Sequence, residues 1–316
     1  MLQGKTIVLG VTGSIAAYKI ANLASMLVKQ RASVHMIMTR NACNFITPTT
    51  FETLTGNKCL IDTFDRNFEF QVEHVSLAQK ADLFLIAPAT ANVIGKLAHG
   101  ICDDMLTTTV FATKAPKLVS PAMNTNMWEN PILQDNLATL KHYGYDIISP
   151  ASGRLACGAV GSGKMPSEEV LMSHILLHVS KEKDLQGKRI LVTAGPTQEA
   201  IDPVRYITNH SSGKMGYALA KMAVMRGANV TLVSGPVNIE PFIGIDVVNV
   251  KSAADMAEAV AARSEANDIV VMCSAVADYT PTHYSAQKVK KSDGELSIPL
   301  ARTTDILHTL GTVSYT

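Results

Sequence analysis

Cys157 stands in a glycine-rich stretch, Ser152-Gly153-Arg154-Leu155-Ala156-Cys157-Gly158-Ala159-Val160-Gly161-Ser162-Gly163. Most isolated thiols are inert, but one carried on a loop of this kind can meet a substrate, and lid loops often look this way. His74, in Val72-Glu73-His74-Val75, has the right ring for acid–base work near neutral pH, although a lone histidine beside apolar neighbours is as a rule structural. Asn124 lies in Pro121-Ala122-Met123-Asn124-Thr125-Asn126-Met127-Trp128, and its amide can hydrogen-bond a carboxylate or another amide. The loop Gly10-Val11-Thr12-Gly13-Ser14-Ile15-Ala16 follows an apolar run and precedes a helical pattern. Free N–H groups at a helix start and a serine hydroxyl suit a phosphate. An ordinary tight turn capped by Ser14 uses the same residues. The dinucleotide pattern G-x-G-x-x-G is absent, which favours a mononucleotide.

The second half carries a different set. Ser211, Ser212 and Gly213, in Asn209-His210-Ser211-Ser212-Gly213-Lys214, would begin a helix and form another anion seat. Asp278 could hold Mg²⁺, and Lys288-Val289-Lys290-Lys291 supplies positive charge. Together they suggest nucleoside triphosphate chemistry, whereas a short lysine run by itself is a solvated face. Gly158–Lys164 reads G-A-V-G-S-G-K, nearly a P-loop. Met165 stands where the Mg²⁺-binding Ser or Thr belongs, Pro166 follows, and no apolar strand precedes, so that reading is rejected.

These residues need a scaffold that brings loop ends together. Thr6–Gly10, Ser33–Met38, Leu83–Ala87, Lys117–Ser120 and Asp146–Ser149 read as strands with room for helices between them. Ile15–Gln30 has helical spacing, with Ile20, Leu23, Ala24 and Leu27 on one face. Alternation of this kind implies a parallel sheet with helices on both faces. In such a sheet ligands bind at the carboxyl ends of strands, where the Gly13 loop, the Pro88–Asn92 loop and the Pro121–Trp128 loop all fall. After polar Ser180–Gly187 the pattern restarts at Gly187–Thr193. A helix over Lys214–Arg226, a strand over Asn229–Ser234, a helix over Ala253–Ala266 and a strand over Asp268–Ser274 follow, with Ala275–Tyr279 ending that strand. The expected fold class is α/β, with two tandem doubly wound, Rossmann-like domains. The expected boundaries are residues 1–180 and 188–316, joined by a linker at 181–187.

Bulk composition agrees. The 316 residues exceed one ordinary core. A net charge of +1 gives no general attraction to nucleic acid or acidic membranes. A single Trp argues against a stacking platform for single-stranded nucleic acid. Cys43, Cys59, Cys102, Cys157 and Cys273 form no C-x-x-C pair. That pattern reads as reduced thiols in a cytosol, without a disulfide framework or structural zinc. The apolar run after Lys5 is too short for a membrane span and lacks a signal-peptide pattern, so a cytoplasmic protein with no membrane partner is expected.

From Gly4 to Leu307 these motifs, in this order, resemble the bacterial bifunctional coenzyme A biosynthesis proteins, a decarboxylase fused to a ligase. The resemblance implies that residues 1–180 are an FMN-dependent phosphopantothenoylcysteine decarboxylase of the flavin-containing cysteine decarboxylase type. In that family FMN oxidises the cysteine moiety, CO₂ is lost, and the resulting enethiol is reduced to 4′-phosphopantetheine. It implies FMN-binding positions at Gly13, Ser14, Ile15, Ala16, Thr39, Thr90, Ala91 and Asn92. It gives His74 an active-site role in the oxidative decarboxylation, makes Asn124 the residue that holds the substrate, and makes Cys157 the proton donor for the final reduction. An unshifted thiol, with a pKa of about 8.5, is mostly protonated at neutral pH and fit to donate. The second half resembles the CTP-dependent ligase that joins 4′-phosphopantothenate to cysteine. Asn209 would bind the acyl-cytidylate. Met272, Cys273, Ser274, Asp278, Lys288, Thr304, Asp305, Ile306 and Leu307 match CTP-binding positions, with Mg²⁺ at Asp278.

The family's ligase sequence continues beyond Leu307, whereas Gly311–Thr316 does not resemble it. The expectation is therefore a shortened ligase half, and a chain that decarboxylates 4′-phosphopantothenoylcysteine without making it at a useful rate. The family implies a homo-oligomer, trimer-based and up to a dodecamer. A decarboxylase acting on peptidyl-cysteine is a rival that the fused second half disfavours. A non-catalytic flavin-binding regulatory protein is a second rival, which need not keep His74, Asn124 and Cys157 together as this chain does.

Overall fold

The computed structural model describes residues 2–64, 73–154, 158, 160–290 and 296–313. The chain divides into two compact units, Met1–Ser180 and Lys181–Thr316.

In the first unit, β1 (Thr6–Val11), β2 (Ser33–Met38), β3 (Cys59–Leu60), β4 (Leu83–Ala89), β5 (Lys117–Pro121) and β6 (Tyr145–Ile147) form one sheet. The strands pair in parallel in the order β3-β2-β1-β4-β5-β6. Ile7–Val11 and all of β4 are buried, as continuous apolar strands covered on both faces must be. The helices are α1 (Ala17–Lys29), α2 (Pro48–Thr55), α3 (Glu73–Lys80), α4 (Ala91–Ala98), α5 (Met105–Ala112), α6 (Thr125–Trp128), α7 (Pro131–His142) and α8 (Glu168–Val179). One core packs Val8, Phe84 and Ile86 of the sheet against Leu77 of α3, Ile94 of α4, Leu106 of α5 and Leu137 of α7. The expected face of α1 (Ile20, Leu23, Ala24, Leu27) is buried, and α1 packs on α8.

The helix that follows the first loop begins later than expected. Its N-cap is Ala16, and Ser14 instead uses its Oγ to accept the Ala16 N–H at 3.4 Å. The expected strand Asp146–Ser149 is shifted to Tyr145–Ile147. The glycine-rich stretch around Cys157 is not a plain loop: β7 (Ala151–Arg154) and β8 (Val160–Lys164) pair antiparallel as the arms of a hairpin. Cys157 itself lies outside the described residues.

Strand β6 is tied to α8 by Asp146. His178 Nε2 is 3.1 Å from Asp146 Oδ2, and His174 Nδ1 is 3.7 Å from it. The imidazoles of His174 and His178 hold the Asp146 carboxyl well below the usual carboxylate range. A depressed native pKa contributes stability above the unfolded value of about 3.9 and loses it as pH falls below that value. Asp146→Asn is therefore expected to lower Tm at pH 7 by about 2–4 °C, a modest amount for a half-exposed group. The gap should begin to narrow as pH falls below about 4 and keep narrowing with further acidification. A gap that widens on acidification would contradict this account.

In the second unit, β9 (Arg189–Ala194), β12 (Asn229–Ser234), β13 (Ile245–Asn249) and β14 (Ile269–Val271) form a parallel sheet in the order β13-β12-β9-β14. Two antiparallel pairs accompany it: β10 (Gln198–Ala200) with β11 (Tyr206–Thr208), inserted between β9 and β12, and β15 (Tyr279–Pro281) with β16 (Leu300–Arg302), after β14. The helices are α9 (Lys214–Met225), α10 (Ala253–Ser264) and α11 (Ile306–Val313). Residues 181–187 are held on this unit, with Lys183 Nζ donating to Met225 O at 2.7 Å and Leu185 N to Arg226 O at 3.0 Å. The expected strand Asp268–Ser274 stops at Val271. Beyond it the N–H groups of Cys273 and Ser274 turn to Thr193 Oγ1 (3.0 and 3.1 Å) instead of a neighbouring strand. Ala275–Tyr279 does not end that strand; Ala275 bridges to Pro196 and Tyr279 opens β15.

Candidate functional site

The first sheet reverses its order between β1 and β4, so the loops after these two strands flank a crevice at the switch point. Thr12 joins them. Its Oγ1 donates to Pro88 O at 2.6 Å and accepts the Thr90 N–H at 3.0 Å. Gly13 is pressed against the turn after β2, where a Cβ would come within 2.7 Å of Asn41 Cβ. Among the described residues, no hydrogen bond uses the N–H of Gly13 or of Ile15. Both therefore remain available to an anion.

Two adjoining cavities open here and share Gly13, Thr90, Ala91 and Met127. The first, of about 710 Å³, is lined by Ser14, Ile15, Ala16 and Asn124 among the expected residues. Phe45, Met123 and Met127 give it apolar wall. The second, of about 1040 Å³, takes in Thr39 and Asn92. Its cations are neutralised. Arg40 Nη2 lies 2.6 Å from Asp62 Oδ1, and Lys96 Nζ lies 2.6 Å from Asp103 Oδ1. The hydrogen bond from Lys96 holds the Asp103 carboxyl below its ordinary range. The sizes suit a ligand of cofactor dimensions. Unused N–H groups beside a serine suit a phosphate, and Thr39, Thr90 and Asn92 offer polar groups beside an apolar wall for a planar ring. The residues fit a flavin mononucleotide.

Asn124 caps α6, its Oδ1 accepting the Met127 N–H at 2.8 Å. The hairpin is seated on the same loop. Met123 N donates to Gly163 O at 3.0 Å, and Thr125 Oγ1 donates to Ser162 O at 3.0 Å. Gly163 has φ of +117°, and any side chain there would collide with the Met123 carbonyl. A glycine is therefore required for the close approach. Thus both hairpin arms reach the cavity, through Arg154 and Lys164. His74 is half-buried on the first turn of α3 and lines neither cavity.

In the second unit a cavity of about 630 Å³ is lined by Met272, Asp278, Thr304, Asp305, Ile306 and Leu307 of the expected set. Cys273, Ser274, Asn209 and Lys288 are outside its lining. Ser274 Oγ accepts from Thr193 Oγ1 at 2.9 Å. Asn209 Nδ2 donates to Ala275 O at 3.2 Å and Val276 O at 3.3 Å, just ahead of Asp278. Lys288 is exposed on a segment anchored by Val289, whose N–H donates to Asp202 Oδ2 at 3.1 Å. No group of three metal-ligating side chains gathers among the described residues. A Mg²⁺ ion at exposed Asp278 would need oxygens from the nucleotide as well.

Sequence reasoning missed Arg154, Lys164, Phe45 and Arg302, which also line these cavities. Lys164 did appear, as the last residue of the rejected P-loop-like string. No local pattern marks the others.

Fold and site together define a flavoprotein: residues 1–180 match the family described as "Flavoprotein", and residues 185–316 match "DNA/pantothenate metabolism flavoprotein C-terminal domain". The Coenzyme A biosynthesis bifunctional protein CoaBC of Bacillus subtilis is 48% identical over 314 residues, covering 98% of this chain and 77% of that protein. Its counterpart in Haemophilus influenzae is 44% identical over 310 residues, covering 98% and 78%. This chain belongs to the family of coenzyme A biosynthesis bifunctional proteins. A solved cysteine-to-serine variant of a PPC decarboxylase, complexed with pantothenoylaminoethenethiol, is 30% identical, with a TM-score of 0.50. It covers 56% of this chain and 99% of its own. No helix among the described residues is long and apolar enough to cross a membrane.

Proposed function

We propose that the first unit is an FMN-dependent decarboxylase converting 4′-phosphopantothenoylcysteine to 4′-phosphopantetheine. The observation that carries this reading is the convergence of the Gly13, Thr90 and Asn124 loops and both hairpin arms on one cavity. When bound, FMN supplies two-electron oxidation and re-reduction of the cysteine moiety. The N–H groups of Gly13 and Ile15 and the Ser14 hydroxyl hold its phosphate, and Thr39 and Thr90–Asn92 orient the rest. Asn124 holds the substrate by its amide. Phe45, Met123 and Met127 keep water from the reacting carbons. Cys157, between β7 and β8 in sequence, donates the proton that completes the product. The acid–base role that the resemblance gives to His74 is part of the same proposal; its side chain stands outside the lining of both cavities.

The second unit, in this reading, handles CTP in joining 4′-phosphopantothenate to cysteine. Asp278 and Asp305 would hold Mg²⁺ at the cavity and Arg302 would face the phosphates. Asn209, fixed beside this site, would hold the activated acyl group.

The purified full chain is expected to be yellow with bound FMN and to release CO₂ and form 4′-phosphopantetheine from 4′-phosphopantothenoylcysteine. A protein that takes up no FMN and releases no CO₂ would refute the decarboxylase reading. CMP release from 4′-phosphopantothenate, cysteine, CTP and Mg²⁺ tests the second unit separately.

A further inference from the structure

The first cavity differs from its neighbour in charge. Lys19, Arg154 and Lys164 line it, and no carboxylate does. In the second cavity Arg40 and Lys96 are paired with Asp62 and Asp103. Lys19 is partly answered by Glu169 of α8, whose carboxyl it helps to hold down. Arg154 and Lys164 have no ion-pair partner among the described residues. Both are exposed, so solvent carries their charge; what distinguishes them is that they line one cavity whose lining holds no carboxylate.

The hairpin sets both of them at this cavity. Ser152 pairs with Ser162 and Gly153 with Gly161, and the two serine hydroxyls meet at 3.3 Å on one face of the ladder. Arg154 pairs with Val160, and Lys164 pairs with Ala151 across a register shift at Gly163; both side chains line the first cavity. The other face is stripped to glycine: a side chain at Gly161 would strike Thr125, and one at Gly163 the Met123 carbonyl. Thus the glycines seat the hairpin on the Asn124 loop, and Arg154 and Lys164 reach the first cavity from its two arms. The Gly13 loop already provides backbone donors for one phosphate. A second anion in the same cavity would match the hairpin cations.

We propose that Arg154 and Lys164 form the seat for the substrate's own phosphate, making the hairpin the element that selects phosphorylated over unphosphorylated pantothenoylcysteine. The seat rests on the decarboxylase reading above. It predicts that specificity is carried by charge-assisted contacts, to which Arg and Lys are suited.

The test compares kcat/KM for 4′-phosphopantothenoylcysteine with that for pantothenoylcysteine, using FMN-loaded full-length protein. In Arg154→Met/Lys164→Met the ratio of the two values is expected to fall by about 10²-fold, through KM for the phosphorylated substrate, since each charged contact is worth about tenfold or more. Lys164→Arg should keep most of the preference. Equal losses on both substrates would overturn the proposal and make the cations structural. Loss of bound FMN in the double variant would overturn it and assign them to the cofactor's phosphate. An unchanged ratio would place the substrate phosphate elsewhere. Wild-type protein that is loaded with FMN but decarboxylates neither substrate would sink the underlying reading and the seat with it.

Discussion

Cys157→Ser is expected to release CO₂ from 4′-phosphopantothenoylcysteine in the first turnover yet to form 4′-phosphopantetheine about 10²–10⁴-fold more slowly, the usual worth of a positioned general acid. A thiol with a pKa of about 8.5 is protonated at neutral pH but gives up its proton far more readily than a serine hydroxyl. The arm after Cys157 is held at the cavity by Gly163 and Ser162 through Met123 and Thr125, and the arm before it by pairing with β8. A serine changes one atom in that stretch and none of those anchors. The defect should therefore fall on the reduction step, with the unreduced enethiol accumulating and detectable by mass spectrometry. Normal rates of 4′-phosphopantetheine formation would show that Cys157 is not the donor, and loss of CO₂ release as well would show that it acts earlier.

Gly13→Val should abolish useful FMN binding. A Cβ at Gly13 would lie 2.7 Å from Asn41 Cβ and 3.3 Å from the Asn41 carbonyl carbon, too close for either to stay in place. Relief requires the loop to move away from the turn after β2. That movement carries with it the N–H groups of Gly13 and Ile15 and the tie from Thr12 to Pro88 and Thr90. Two charge-assisted contacts to a phosphate, each worth about 1.5–3 kcal/mol, correspond to roughly 10²–10⁴-fold weaker binding. Overpacking at the loop should cost about 1–3 kcal/mol of stability, which leaves the sheet folded. Quenching of flavin fluorescence measures the affinity and circular dichroism checks the fold. A folded variant that binds FMN as tightly as wild type would remove Gly13–Ala16 from the phosphate site.

Some of the molecule was legible because its signals are local. The apolar runs of β1, β2 and β12, the 3.6-residue spacing of α1 and the intervals left for α9 and α10 set these elements nearly to their observed ends. The short elements were not legible. Strands such as β3, β10, β11, β15 and β16 have two or three residues each, too few to show a period. The hairpin of β7 and β8 was hidden for another reason. Its glycines lower strand propensity, and only the contact they permit with Met123 and Thr125 explains them.

By itself the sequence determined the α/β alternation, the restart of the pattern after residue 187 and the chemical character of each loop, since all three depend on residues close together in the chain. The strand order decided which loops meet. Placing β1 beside β4 and β4 beside β5 brings Gly13, Thr90 and Asn124 around one cavity and leaves His74 outside it. Tertiary structure also decided which charges are spent. Arg40 finds Asp62 from a separate segment and Lys96 finds Asp103 beyond the end of its own helix, whereas Arg154 and Lys164, equally basic in the sequence, face a cavity that holds no carboxylate. Neither result is written in any local period, because strand order and ion pairing are set by how distant segments pack, and that packing is chosen by the burial of the whole apolar surface.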